Sequence, residues 1–137
     1  MPRIESYLFK QELTSLTHQV QLPTNVENDL VLVIAAQDGT VGSDFTINES
    51  FTIHQQDYYS TVGRMIIAYK VAGAGGITTA PTITSATNSA WSSTTLIVRG
   101  VDTADIFEVI STKVEDSSGT LTTATVTTAD TNCLVIN

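Results

Sequence analysis

Asp29 to Gln37, DLVLVIAAQ, constrains the fold of this chain more than any other stretch. It is apolar without a break from Leu30 to Ala36 and rich in Val, Ile and Leu. The run is too short to cross a bilayer. Asn28-Asp29 leads in and Gln37-Asp38-Gly39 leads out, and such residues favour turns. A short aliphatic run bounded in this way reads as a central β-strand buried on both faces. A strand in a simple antiparallel sandwich keeps one wet face. Something must therefore cover the second face of this one.

The flanking sequence alternates as half-buried strands do. Between Thr14 and Leu22, Leu16, His18, Val20 and Leu22 share one side, while Thr17, Gln19 and Gln21 share the other. Pro23 ends that strand. Phe45 to His54 alternates again and bends at Asn48-Glu49-Ser50. Gln55 to Thr61 reads as a polar loop or an edge strand holding Tyr58 and Tyr59. Arg64 to Val71 is a second strand with apolar residues toward both sides, and Gly73 to Gly76 supplies a tight reversal. Pro81 to Ala86 reads as a short strand near an edge, because proline cannot donate to a ladder. Asn88 to Arg99, with Trp91 and Leu96-Ile97-Val98, is a third two-sided strand. Further strands are expected at Asp105 to Lys113, Leu121 to Thr128 and Cys133 to Ile136, with a hairpin turn at Asp116 to Gly119.

Met1 to Leu13 fits this pattern poorly. Ile4, Leu8 and Leu16 recur at the spacing of one helix face. Residues 1–13 are therefore assigned to an N-terminal arm or short helix, and residues 14–137 to a β-sandwich domain. Roughly nine short strands with frequent Gly, Asp and Asn breaks predict an all-β fold. The expected form is an antiparallel, jelly-roll-like sandwich.

A length of 137 residues predicts one domain. Six Lys plus Arg against fourteen Asp plus Glu leave a formal charge of -8. That argues against nucleic acid, whose phosphates need a positive surface, and against docking on an anionic membrane. The N-terminus, MPRIESYLFKQE, lacks the apolar core of a secretory signal. Thr is the commonest residue, and β-branched Thr favours strands while its hydroxyl tolerates water. Thr-rich, charge-poor, acidic β chains are typical of durable extracellular modules and virion proteins.

The residues that carry chemistry are few. A nucleophilic site needs a histidine and an orienting acid, and only His18 and His54 are present. Each lies within an expected strand, far from any strained nucleophile turn. One cysteine, Cys133, and two distant histidines do not make a zinc site; Cys133 reads as a small buried hydrophobe. Gly73 to Gly76 lacks the lysine and helix of a phosphate loop. Asp38, Asp44 and Asp57, or Asp102 and Asp105, supply oxygens for calcium but read first as turn residues. Trp91, Tyr58, Tyr59 and Tyr69 are the aromatics a sugar-binding face would use. No catalytic, cofactor-binding or metal site is assigned, and the chain is not expected to be an enzyme.

Three fragments carry a family likeness. They are Asn28 to Val33 (NDLVLV), Ala68 to Gly73 (AYKVAG) and Val98 to Asp102 (VRGVD). In this order they resemble a β-sandwich module of tailed-phage virion proteins, found in capsid-decorating, tail-fibre and tail-associated chains. The likeness covers roughly Thr14 to Ile136. It departs from the family at Asn28, where a glycine is usual, and at Thr103-Ala104, where a proline often stands. The resemblance implies a structural virion subunit. The expected form is a capsid decoration or cement protein held by apolar contacts to other virion proteins and to its own copies, for example as a trimer. The alternative is a carbohydrate-binding host-attachment module. Lys70, Arg99 and Asp102 are expected to be architectural, a strand-end cation pairing with the turn aspartate.

Overall fold

The computed structural model describes residues 1–39, 44–59, 63–107, 134 and 136. They form an all-β structure with one antiparallel sheet. Its strands are β1 (Arg3–Gln19), β2 (Leu30–Asp38), β3 (Thr46–Ile47), β4 (Thr52–Tyr59), β5 (Gly63–Val71) and β6 (Thr82–Arg99). The order across the sheet is β1-β6-β2-β5-β4, with β3 pairing to β6 off that path. The expected strands at Asp105–Lys113, Leu121–Thr128 and Cys133–Ile136, and the hairpin turn at Asp116–Gly119, lie wholly or in part outside the described residues.

β2 sits in the middle of the order, as its sequence predicts. Val31, Val33 and Ala35 point to one side, where they join Val20, Phe45, Phe51, Ile66, Ala68, Ile83, Trp91 and Ile97 in the main core. Leu30 and Leu32 point to the other side and join Leu96 and Val98. The second face does have a cover. It comes from this chain, through Val101, Ile106, Phe107 and Leu134. Coverage by the N-terminal arm or by a neighbour is not needed at this position.

The sheet turns a corner between β3 and β4. Ile47 pairs with Ile83 of β6, and five residues later Thr52 pairs with Tyr69 of β5. Glu49 and Ser50 both adopt positive φ, at 58° and 56°, so the chain reverses sharply where the bend at Asn48-Glu49-Ser50 is expected. The Asn48 amide donates to the Thr82 carbonyl, and its side-chain oxygen accepts from the Thr82 amide at 2.7 Å. One continuous segment is thus handed from β6 to β5, the way strands make corners between sheets. The ring β6-β2-β5-β4 returns through β3 to β6. A jelly-roll or sandwich is compatible with this closure.

Two expectations change. The helix proposed for residues 1–13 is strand instead, and a boundary after Leu13 would fall inside β1. The helical spacing of Ile4, Leu8 and Leu16 marks no buried face, since all three are exposed. Pairing with β6 from Arg3↔Arg99 to Gln19↔Thr82 decides the conformation. The short strands at Pro81–Ala86 and Asn88–Arg99 are also one strand, β6. Between Ser15↔Ser89 and Thr17↔Thr84 the chain advances five residues along β6 and two along β1. The polar residues that look like a break are a bulge in a continuous strand.

Candidate functional site

His18, buried to 0% exposure on β1, is the centre of the one array with catalytic geometry among the described residues. Its Nδ1 lies 3.1 Å from Glu12 Oε2 and its Nε2 lies 2.7 Å from Ser93 Oγ. A carboxylate can only accept, so Nδ1 carries the proton and Nε2 accepts from the Ser93 hydroxyl. The imidazole stacks on Trp91, with centroids 5.5 Å apart and planes 9° from parallel. The Trp91 indole N–H donates to the Ser15 carbonyl at 2.8 Å. Burial holds His18 below the ordinary imidazole pKa, although the hydrogen bond to Glu12 opposes this.

Acid, imidazole and hydroxyl stand in the order of a nucleophilic triad. Their setting differs from a triad's. Ser93 is only 3% exposed and sits mid-strand, flanked by Lys10 of β1 and Ala35 of β2. Neighbouring backbone amides are engaged in ladders on both sides, so the spare N–H pair of an oxyanion hole is missing at this position. In this setting the array acts as a clamp that fastens the edge strand β1 to β6.

A second polar network stitches the opposite side of β6. Arg64 Nη2 donates to Gln37 Oε1 and to Ser85 Oγ, and the guanidinium lies 4.5 Å over the Phe45 ring. Ser85 donates to Gln37 Oε1 at 2.8 Å, and Gln37 Nε2 donates to the Thr87 carbonyl at 2.7 Å. Arg64, Gln37 and Ser85 are all buried. The network fills the bulge in β6.

The strand-end ion pair also differs from expectation. Arg99 bonds Asp29 through two parallel contacts, Nε to Oδ1 at 2.7 Å and Nη2 to Oδ2 at 2.8 Å. Asp102 instead accepts from the Ala104 amide in its own turn, and Lys70 donates to the Glu49 carbonyl. Asp29 is buried, and its Oδ2 also accepts from the Val26 amide at 2.9 Å. The Arg99 hydrogen bond pulls its pKa down, against desolvation. Beside it, Asn25 accepts from the Ile77 amide and donates to the Ile77 carbonyl. Gly76, at φ 76°, leaves no room there for a side chain, since an added Cβ would lie 2.6 Å from the Asn25 carbonyl.

The remaining candidates scatter. Trp91 is buried at 3%. Tyr69 is half-buried, edge-on to Phe107 at 5.0 Å, and exposed His54 leans on the same Phe107 ring. Tyr58 is exposed and donates to Asp44, which raises its pKa. Asp57 accepts from Gln55. No group of three metal-ligating side chains forms among the described residues, Asp38, Asp44, Asp57, Asp102 and Asp105 included. A shallow open depression lined by Leu22, Pro23, Asn25, Gly75, Ile77 and Ala80 has no acid or base in its wall. Cys133 lies outside the described residues, as does the side chain of Tyr59.

The largest unexpected surface is β1 itself. It is a long outer strand, paired on one side only among the described residues. Tyr7 is 67% exposed, Phe9 53% and Leu13 89%. Arg3, Glu5, Lys10 and Glu12 punctuate the same strand. Sequence pattern misses this because an apolar residue looks the same whether bare or buried. No family model matches the chain, and no curated protein or solved structure matches it significantly.

Proposed function

We propose that this chain is a structural subunit of a tailed-phage virion, a capsid decoration protein in the first instance, that works by holding contacts and not by turnover. The observation that carries the reading is β1, which ends the sheet among the described residues and exposes Tyr7, Phe9 and Leu13. An edge strand that exposes large apolar side chains offers a template and a surface for another chain. The fragments behind the virion resemblance also lie together: Leu30 pairs with both Val71 and Val98, so β5, β2 and β6 bring them to one end of the sheet. A sugar-binding attachment module is less well supported, because Trp91 spends its ring on His18 and Phe45 and its N–H on Ser15. An enzyme is less supported still, because the would-be base His18 and hydroxyl Ser93 are both sealed from solvent.

Density-gradient-purified virions from cultures of the encoding host, probed with an antibody to this chain, test the reading. Stoichiometric, detergent-resistant signal in the particle band is the expected result. Signal confined to soluble fractions sinks it.

A further inference from the structure

We propose that β1 pairs edge to edge with β1 of a second copy of this chain, antiparallel, about a two-fold axis through Leu8. The inference rests on the preceding reading only in taking β1 as a contact surface. It goes further in naming the occupant and the register.

The argument begins with the faces of β1. Opposite residues in an antiparallel pair share a face. Arg3, Leu8, Lys10 and Glu12 lie opposite Arg99, Thr95, Ser93 and Trp91, on the main-core side. Ile4, Tyr7, Phe9 and Gln11 lie opposite Val98, Leu96, Thr94 and Ser92, on the other side. A bulge between Ile4 and Ser6 keeps this alternation in step. Glu5 sits within it, and its ion pairs with Arg3 and Arg99 place it on the Arg3 side.

A two-fold axis normal to the sheet preserves faces, so each residue must meet a partner on its own side. With Glu5-Ser6 counted as one bulged position, an axis at Leu8 satisfies this along the strand. Leu8 meets Leu8, Tyr7 meets Phe9, Glu5 meets Lys10, Ile4 meets Gln11 and Arg3 meets Glu12. Every charge meets its opposite, and the exposed aromatics form cross-strand pairs. Within the chain Glu5 pairs with Arg3 and Arg99, and Glu12 with Lys10 and His18; a second copy in this register adds an opposite charge to each strand charge and sets no like charges face to face, a match an arbitrary strand does not supply. The edge is also charge-balanced within a chain of net charge -8, so the general repulsion between copies is weakest here. Two-fold pairing is the commonest symmetry for such contacts.

Sedimentation equilibrium of the full chain is the first test, with a concentration-dependent dimer expected. Lys10→Glu should weaken association at least tenfold, and adding Glu5→Lys to it should restore most of the loss. Register is tested by oxidation in a Cys133→Ala background. Residues directly opposite in such a pair come within disulfide reach. Leu8→Cys should therefore cross-link with itself, while Ile4→Cys and Gln11→Cys should cross-link only when mixed. Circular dichroism melts confirm that each variant is folded. A chain that stays monomeric to hundreds of micromolar overturns the proposal, as does cross-linking that is equal at all three positions. A monomer still found on virions overturns self-pairing alone. A dimer absent from virions overturns the virion reading alone.

Discussion

β1 and β2 both carry large apolar side chains, six among the seventeen residues of β1 and five among the nine of β2, and those side chains meet opposite fates. β2 has a neighbour on each side and a layer over each face, so Val31 and Val33 are sealed. Among the described residues β1 has one neighbour, and its Tyr7, Phe9 and Leu13 are exposed. The comparison teaches that place in the sheet, together with composition, sets what a strand buries. It locates the sealed side chains at the centre and the exposed ones at the rim.

Ile97→Ala should give the largest effect, a loss of about 2–5 kcal/mol from a sealed site. Leu13→Ala should change stability by no more than about 0.5 kcal/mol. Urea unfolding of both variants checks the pair, and equal losses would erase the distinction between centre and rim. Next is Asp29→Ala, with an expected cost of about 1–3 kcal/mol from the lost charged hydrogen bonds. The cost is below that of a fully buried pair because the Arg99 side chain is 38% exposed and can rehydrate. Because Arg99 depresses the Asp29 pKa, the stabilisation is present above about pH 4 and fades as pH falls through the lowered native value. Acid titration of the wild type against Asp29→Asn reads this directly.

A smaller effect tests the seam between the two regions. Burial lowers the His18 pKa, so below about pH 6.5 the unfolded chain takes up a proton that the native imidazole resists. Stability should decline from that pH downward and level off beneath the native value. Thermal melts from pH 7.5 to pH 5 should show the slope, and His18→Gln should flatten it. The smallest effect concerns Thr95, whose buried hydroxyl has no hydrogen-bond partner among the described residues. Thr95→Val should be neutral or stabilising by up to about 1 kcal/mol, and a clear loss by calorimetry would reveal a partner for that oxygen.

The legible parts of the fold were those written in local pattern. Leu30 to Ala36 declares its two buried faces because no polar residue interrupts it, and the corner at Glu49-Ser50 shows as a break in alternation. β1 was hidden because its first half owes its conformation to β6, some ninety residues away. Ile4 and Leu8 mimic a helix face only by spacing. β6 reads as two strands because polar Ser85 and Thr87 interrupt the apolar pattern, yet both engage the buried Gln37–Arg64 network, a contact between remote segments. The alternation sets His18 on one side with Leu16, Val20 and Leu22; His18 and Val20 are buried, whereas Leu16 is exposed. Ser93, the partner of His18, is separated by 75 residues, and nothing in the spacing of either announces the other.

The antiparallel match of Arg3 with Arg99 brings the start of β1 beside the end of β6, with the Met1 carbonyl close against Gly100. Tension applied between those two points would not shear the strands. It would peel them apart one rung at a time, a geometry that yields at low force. The first firm stop along that tear is the Glu12–His18–Ser93 latch, with its imidazole and hydroxyl buried. A molecule anchored through these points would therefore lengthen by a defined increment before its core felt any load.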